Sequence, residues 1–215
     1  MPILLYYFYH ELTGKIIIMK DKDYHDYIDE INKIYENLWS NILDGSKNSL
    51  SDYHTFSLAT CSQNQVSNRT VVLRDCNEKD RTMSFHTNNL SKKINDINLN
   101  SNVECLFYSK INKTQIRISG IAEIFAMNNI CEKKWTEMSS QSKQCYFQNI
   151  APGEIIDSPK QVQIENLGDL NIISENFVIV KINISTIDWL YLSSKGHRRA
   201  KFDKSRDFEG SWVAP

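Results

Sequence analysis

Thr55-Phe56-Ser57-Leu58-Ala59-Thr60 and Val66-Ser67-Asn68-Arg69-Thr70-Val71-Val72-Leu73, separated by Ser62-Gln63-Asn64-Gln65, decide the fold. Both runs are rich in β-branched and apolar residues, and the polar quartet between them suits a hairpin. Working outward, Arg81 to Thr87 reads as a third strand across the polar turn Asn77 to Asp80. Val103 to Tyr108 and Thr114 to Phe125 are strand-like, with Gly120 marking a bulge or barrel bend in the second of them. Phe177 to Leu192 is a last long strand. Helical spacing recurs in Tyr24, Tyr27, Ile28, Ile31, Ile34, Tyr35, Leu38, Trp39 and Ile42, and Asp44-Gly45 is its expected stop. Ser91 to Ile97 reads as a short helix capped by Ser91, and Asn128 to Ser139 as another. Pro152-Gly153 opens a polar loop that runs to about Ser174. Many strands with turn signals, a few flanking helices and no regular strand-helix alternation predict a mainly β chain with flanking helices (α+β), built as an antiparallel barrel.

The chain has 215 residues and a formal net charge of −1, enough to bury a core and with no overall field favouring nucleic acid or an anionic membrane. Cys61, Cys76, Cys105, Cys131 and Cys145 are scattered, without a C-x-x-C pair, which argues against a disulfide framework and a zinc site and for a reducing cytoplasm. The seven glycines form neither G-x-G-x-x-G nor a P-loop. The apolar runs Ile3 to Tyr9 and Ile16 to Ile18 are too short to span a bilayer, and a signal peptide's basic start and cleavage site are missing. Residues 1–18 are read as an extension upstream of a start at Met19, or else as a short strand and turn; 19–215 is read as a single domain.

Three segments carry polar chemistry: Asn68-Arg69-Thr70-Val71-Val72-Leu73-Arg74, Phe85-His86-Thr87-Asn88 leading into Ser91-Lys92-Lys93, and Gln115-Ile116-Arg117-Ile118-Ser119-Gly120. Two lysines in a first helical turn oppose the helix dipole and call for solvent or an anion in front of them. A phosphate dianion is met by Arg in a fork, Lys as a point charge and helix N-terminal amides. A flavin ring needs an apolar shelf and donors near its pyrimidine edge, which strand amides and a Gln can supply. Taken singly, each feature also fits a solvated strand face.

In order and spacing, the Arg-x-Val-x-Leu-(Lys/Arg) strand, the Phe-x-Thr-Asn strand end, Ser-(Arg/Lys)-Lys, Leu-Phe-Tyr and Gln-x-x-x-x-Gly resemble the FMN-binding half of pyridoxamine 5'-phosphate oxidases, from about Val66 to Glu123. The resemblance implies a split β-barrel that forms a homodimer with FMN at the subunit interface. It implies that Arg69, Lys92 and Lys93 hold the phosphate region, that Thr70, Val71, Val72 and Leu73 line the flavin with His86 and Thr87 beside it, and that Gln115 meets the ring. Arg74 and Ser91 complete the cofactor-binding set.

The closing segments, Ile187-Asp188-Trp189, Gly196-His197-Arg198-Arg199 and Trp212-Val213-Ala214-Pro215, are also similar to the family's. The oxidases' Arg-Leu-His-Asp-Arg signature is replaced by Arg198-Arg199-Ala200-Lys201-Phe202, and Trp135 and Ser139 stand where those enzymes carry a phosphate-binding Tyr and Arg. The chain is thus expected to be an FMN-dependent oxidoreductase of a less characterised branch, with Arg74, His197, Arg198 and Arg199 as candidates for holding a small anionic substrate. Other expectations are a flavin-binding or sensing protein without turnover, pyridoxamine 5'-phosphate oxidase activity itself, and a barrel that has exchanged FMN for haem or another flavin. Lys195 to Arg206 reads either as a solvated basic tail or as a ligand contact.

Overall fold

Alternation of buried and exposed residues shapes every long strand in the computed structural model, which describes residues 27–148, 150–162 and 169–215. The extension read at 1–18, its strand-and-turn alternative and the helical spacing before Tyr27 lie outside the described residues. The strands are β1 (Thr55–Ser62), β2 (Gln65–Val72), β3 (Asp75–Asn77), β4 (Thr82–Asn88), β5 (Asn102–Ser109), β6 (Thr114–Ala126), β7 (Phe177–Tyr191), β8 (Arg198–Asp203) and β9 (Gly210–Trp212). The helices are α1 (Ile31–Lys47), α2 (Lys92–Leu99), α3 (Asn129–Glu137) and α4 (Ser140–Gln144).

One antiparallel sheet runs β2-β1-β5-β6-β7-β4-β3, with β8 on β7 and β9 on β8. It is split because β7 changes partners: Phe177–Asn183 pairs with β4, and Thr186–Tyr191 with β8. The sheet does not close, but the Arg74 N–H beyond β2 donates to Ser84 O of β4 at 2.9 Å. In the β1–β2 hairpin, Gln63 and Asn64 both adopt positive φ (48° and 63°), the geometry of a two-residue turn that matches strand twist. At Gly120 the β6–β7 register shifts, and a Cβ there would lie 2.6 Å from Asn183 O.

Two of the departures from the sequence expectation have a clear local cause. First, α1 continues through Gly45 to Lys47, because this glycine is a close-packing position: a Cβ would sit 2.3 Å from Tyr53 O. Second, the basic stretch after β7 is a strand. Ala200 and Phe202 are buried while Lys201 between them is exposed, so half-buried alternation lies hidden within a run of charges.

The main core fills the inner face of the sheet with Phe56, Leu58, Phe85, Phe107, Ile118 and Val180, sealed by Ile34, Leu38 and Trp39 of α1 and Ile94 and Ile97 of α2. A second cluster, Cys131, Trp135, Phe177 and Ile179, forms under α3. All five cysteines are free, with Cys105 and Cys131 buried. Among the described residues no helix is long and apolar enough to cross a membrane.

Candidate functional site

Alternation on β2 and β4 sorts the candidate residues between two faces. On β2, Val71 and Leu73 point into the core and Arg69 shares their side, while Thr70 and Val72 point outward. On β4, Phe85 and Thr87 point inward while His86 faces the other way.

The inward set converges on the start of α2. Lys93 Nζ donates to Thr87 Oγ1 at 3.0 Å, and the Thr87 and Ser91 hydroxyls lie 3.4 Å apart. Although Ser91 occupies the N-cap position, its side chain makes no capping bond. On the β2 side, Lys92 Nζ reaches Ser67 Oγ at 3.3 Å and Asp96 Oδ1 at 2.7 Å. Arg69 Nη1 donates to Leu58 O (3.2 Å) and Thr60 Oγ1 (2.8 Å), and its Nη2 lies 3.6 Å from Asp96 Oδ2. Thus Arg69, Thr87, Ser91, Lys92 and Lys93 come together around one helix start.

Asp96 is the one carboxylate in this cluster among the described residues, and it is 2 % exposed. Burial pushes its pKa up, but hydrogen bonds from Lys92, Thr60 and Ser62 and the Lys92 charge outweigh this and hold it below the ordinary carboxylate value. Lys93, by contrast, has no ion-pair partner among the described residues, and burial followed by the nearby Arg69 charge lowers its pKa. The half-buried Lys93 ammonium, set near an Arg69 guanidinium that already shares Asp96 with Lys92, leaves the cluster net positive, an arrangement that can receive an anion.

The outer edge of β2 is open to a ligand. Leu73 N–H donates to His54 O, which fixes the ladder so that Asn68, Thr70 and Val72 turn their backbone N–H and C=O groups away from β1. No strand covers that edge among the described residues.

Gln115 is on the outer face of β6, in a cross-strand row with Tyr108, Leu190 and Arg199. With β1 and β5 between β6 and β2, it is on the order of 14 Å from the β2 edge. Gln115 therefore stands apart from the cluster at the start of α2. The neighbouring row is Thr70, Ser57, Leu106, Arg117, Asp188 and Lys201. Here Arg199 grips Asp188 in a fork (2.9 and 2.7 Å), and Arg117 Nη2 donates to the same carboxylate at 2.5 Å. Arg198 Nε donates to Asp29 at 2.6 Å, and His197 Nδ1 accepts the Ser193 N–H at 3.0 Å. All three residues of the His197-Arg198-Arg199 stretch are thus engaged within the chain.

His86 and Arg74 belong to a second region, on the far side of β4. The His86 ring stands edge-on to Phe177 at 5.1 Å and lines an open cavity of about 250 Å³ with Asp75, Cys76, Phe125 and Lys134. Burial first, then the Arg74 and Lys134 charges, lower its pKa from 6.5 to about 4, so the imidazole is neutral at physiological pH. The unfolded chain takes up this proton below about pH 6.5 and the folded one only near pH 4, so stability falls as pH drops through that window. Allowing for partial solvent screening, the loss is on the order of 2 kcal/mol. Thermal unfolding from pH 7 to 4 is expected to show a shallower decline for His86→Gln than for the unaltered chain; parallel curves would refute the assignment.

Sequence reasoning missed Asp96, Thr60, Ser62 and the Asp188 bridge. The spacing of Lys92 and Asp96 at i and i+4 was the available signal for the first.

Comparison with known proteins adds to this geometry. Residues 35–126 match the family model for the pyridoxamine 5'-phosphate oxidase FMN-binding domain. A pyridoxine/pyridoxamine 5'-phosphate oxidase of Psychrobacter cryohalolentis is 47% identical over 75 residues, 34% of this chain and 34% of that protein. The match spans about a third of that relative's length. Among solved structures, a pyridoxamine 5'-phosphate oxidase-related FMN-binding protein of Nostoc punctiforme superposes with a TM-score of 0.70 at 19% identity, covering 84% of this chain and 96% of its own. PhzG of Burkholderia lata, solved with tetrahydrophenazine-1-carboxylic acid, gives 0.69 at 18% identity, covering 88% and 96%. At such identities the likeness is one of fold, and it agrees with the antiparallel split-barrel architecture read from the strands.

Proposed function

We propose that the chain belongs to the pyridoxamine 5'-phosphate oxidase FMN-binding family, whose domain model its residues 35–126 match, and that it binds FMN and is an FMN-dependent oxidoreductase. The observation that carries the binding is the cluster at the start of α2, where the Arg69 charge acts on the half-buried Lys93 ammonium and the Thr87 and Ser91 hydroxyls are in reach. These residues fit a phosphate monoester: Arg69 and Lys93 supply charge, and Thr87 and Ser91 supply neutral donors. The free edge of β2 at Thr70 and Val72 offers backbone donors and acceptors to a ring system. When bound, FMN supplies hydride acceptance and reoxidation by oxygen or another acceptor. The chain's own part is to hold the phosphate, present β2 to the ring and orient a small anionic substrate, for which Arg74, whose charge acts on His86, is the candidate cation.

Gln115 stands apart from the cradle, and on this reading it meets the ring end of the cofactor rather than its phosphate. Exposed Val66, Leu106, Tyr108 and Ile121 support a homodimer through the sheet's outer face. The free cysteines support a reducing, cytoplasmic setting.

A second reading, FMN binding without turnover, is favoured by the ion pairs that engage Arg198 and Arg199. The visible spectrum of the purified full chain, with identification of any chromophore released on denaturation, tests the binding. Stoichiometric FMN, or its uptake by colourless protein, is expected; refusal of added FMN would overturn both readings. Reduction of the bound flavin by anionic substrates, followed by its reoxidation, separates the oxidoreductase from the binder.

A further inference from the structure

We propose that Asp96 is the positioning residue of the phosphate cradle and sets its preference for FMN over riboflavin. This inference rests on the FMN reading above and assigns a role to a residue that contacts no ligand itself.

Asp96 is held from four directions. Thr60 Oγ1 donates to Oδ2 at 2.8 Å and Ser62 Oγ to Oδ1 at 3.1 Å, while Lys92 reaches Oδ1 at 2.7 Å and Arg69 Nη2 lies 3.6 Å from Oδ2. Thr60 is the link: its single proton goes to Asp96 and its lone pair accepts Arg69 Nη1 at 2.8 Å. The carboxylate thereby fixes the direction of the Thr60 hydroxyl and, through it, the guanidinium. It also draws Lys92 back along the helix toward β2, so that the two lysines of the first turn diverge, Lys92 to Ser67 and Lys93 to Thr87.

Charge supports the same role. Arg69, Lys92 and Lys93 set against Asp96 leave a local excess of two positive charges, the complement of a phosphate monoester dianion. Without Asp96, three neighbouring cations would repel one another, and Arg69 would keep only neutral acceptors. Groups that orient the ligand-binding side chains commonly govern affinity and selectivity in this way.

An Asp96→Asn change brings the two effects into opposition. An amide cannot accept from Thr60, Ser62 and Lys92 together, since its NH2 faces a donor on whichever side it lies, so the Arg69 arrangement is lost. The removed negative charge by itself would tighten phosphate binding. The sign of the change therefore separates positioning from simple electrostatics.

The test is titration of the full-length apoprotein with FMN and with riboflavin, followed by flavin fluorescence. Asp96→Asn is expected to weaken FMN binding by roughly 10- to 100-fold while riboflavin affinity holds, which collapses the ratio of the two. An unchanged or increased FMN/riboflavin ratio in the folded variant would overturn the proposal. Should Asp96→Asn fail to fold, Thr60→Val removes the linking hydroxyl from a buried site with similar volume and is expected to lower the ratio in the same direction; an unchanged ratio there overturns the proposal as well. Failure of the unaltered protein to bind FMN would sink the FMN reading itself, a result distinct from a preserved ratio in the variants.

Discussion

Replacing Arg69 and Lys93 together with alanine is expected to weaken FMN binding by roughly 10²- to 10⁴-fold while the protein stays folded. Each side chain offers a charge-assisted contact of about 1.5–3 kcal/mol, and two such contacts, each tenfold per about 1.4 kcal/mol, give that range. Folding survives because each loss is compensated. Asp96 keeps Thr60, Ser62 and Lys92 when Arg69 is removed. Lys93 is a half-buried ammonium repelled by Arg69, so its removal relieves the apoprotein of an unfavourable charge. Calorimetric titration with FMN and thermal unfolding of the apoprotein check the two halves. Full flavin occupancy in the double variant would refute the cradle, and a collapsed melting transition would make Arg69 a structural residue.

The expected divergence between binding and stability follows from how the cluster is built. Its cations are set on an edge strand and a short helix rather than in the core, so the barrel does not depend on them. Period-two alternation made that barrel legible. The hairpin at Ser62 to Gln65 and the register shift at Gly120 are where turn and glycine signals placed them. Close approach was not legible: Gly45 reads as a helix stop because nothing local announces the Tyr53 backbone pressed against it. Nor was β8, where charged residues at 198, 199 and 201 mask the apolar pair Ala200 and Phe202.

The site was legible as a set of residue types and not as one location. Arg69, Lys92 and Lys93 converge because hairpin and helix start bring them together. Adjacent residues on a strand face opposite ways, so Thr87 joins the Lys93 cluster while His86 opens onto a separate cavity. Asp96 escaped notice because its acceptors are filled by Thr60 and Ser62, more than thirty residues away in sequence. That pairing exists only once β1 is packed beneath α2.

Trp135→Ala is expected to cost about 3–5 kcal/mol of stability, the range for emptying a buried aromatic site. Trp135 is 1 % exposed and anchors the second cluster, with ring centroids 5.4 Å from Phe177, 6.0 Å from Tyr146 and 5.9 Å from Phe147. Its indole N–H donates to Leu170 O at 3.1 Å, tying the segment before β7 to α3. Loss of the ring also frees Phe177, which carries the edge contact to His86, so the cavity loosens while the phosphate cradle on the opposite face of β4 is left intact. Chemical denaturation followed by Tyr and Trp fluorescence measures the stability, and FMN titration of the folded fraction measures the cradle. A variant that unfolds at the same denaturant concentration as the unaltered chain would show that the cluster repacks around the gap. A variant that loses both stability and FMN affinity would show that the two faces of β4 are coupled. The same burial bears on specificity. This helix turns the Trp135 indole inward with its donor already engaged, and on the proposed reading the anionic end of a substrate is met by Arg74, across the strand from the flavin phosphate.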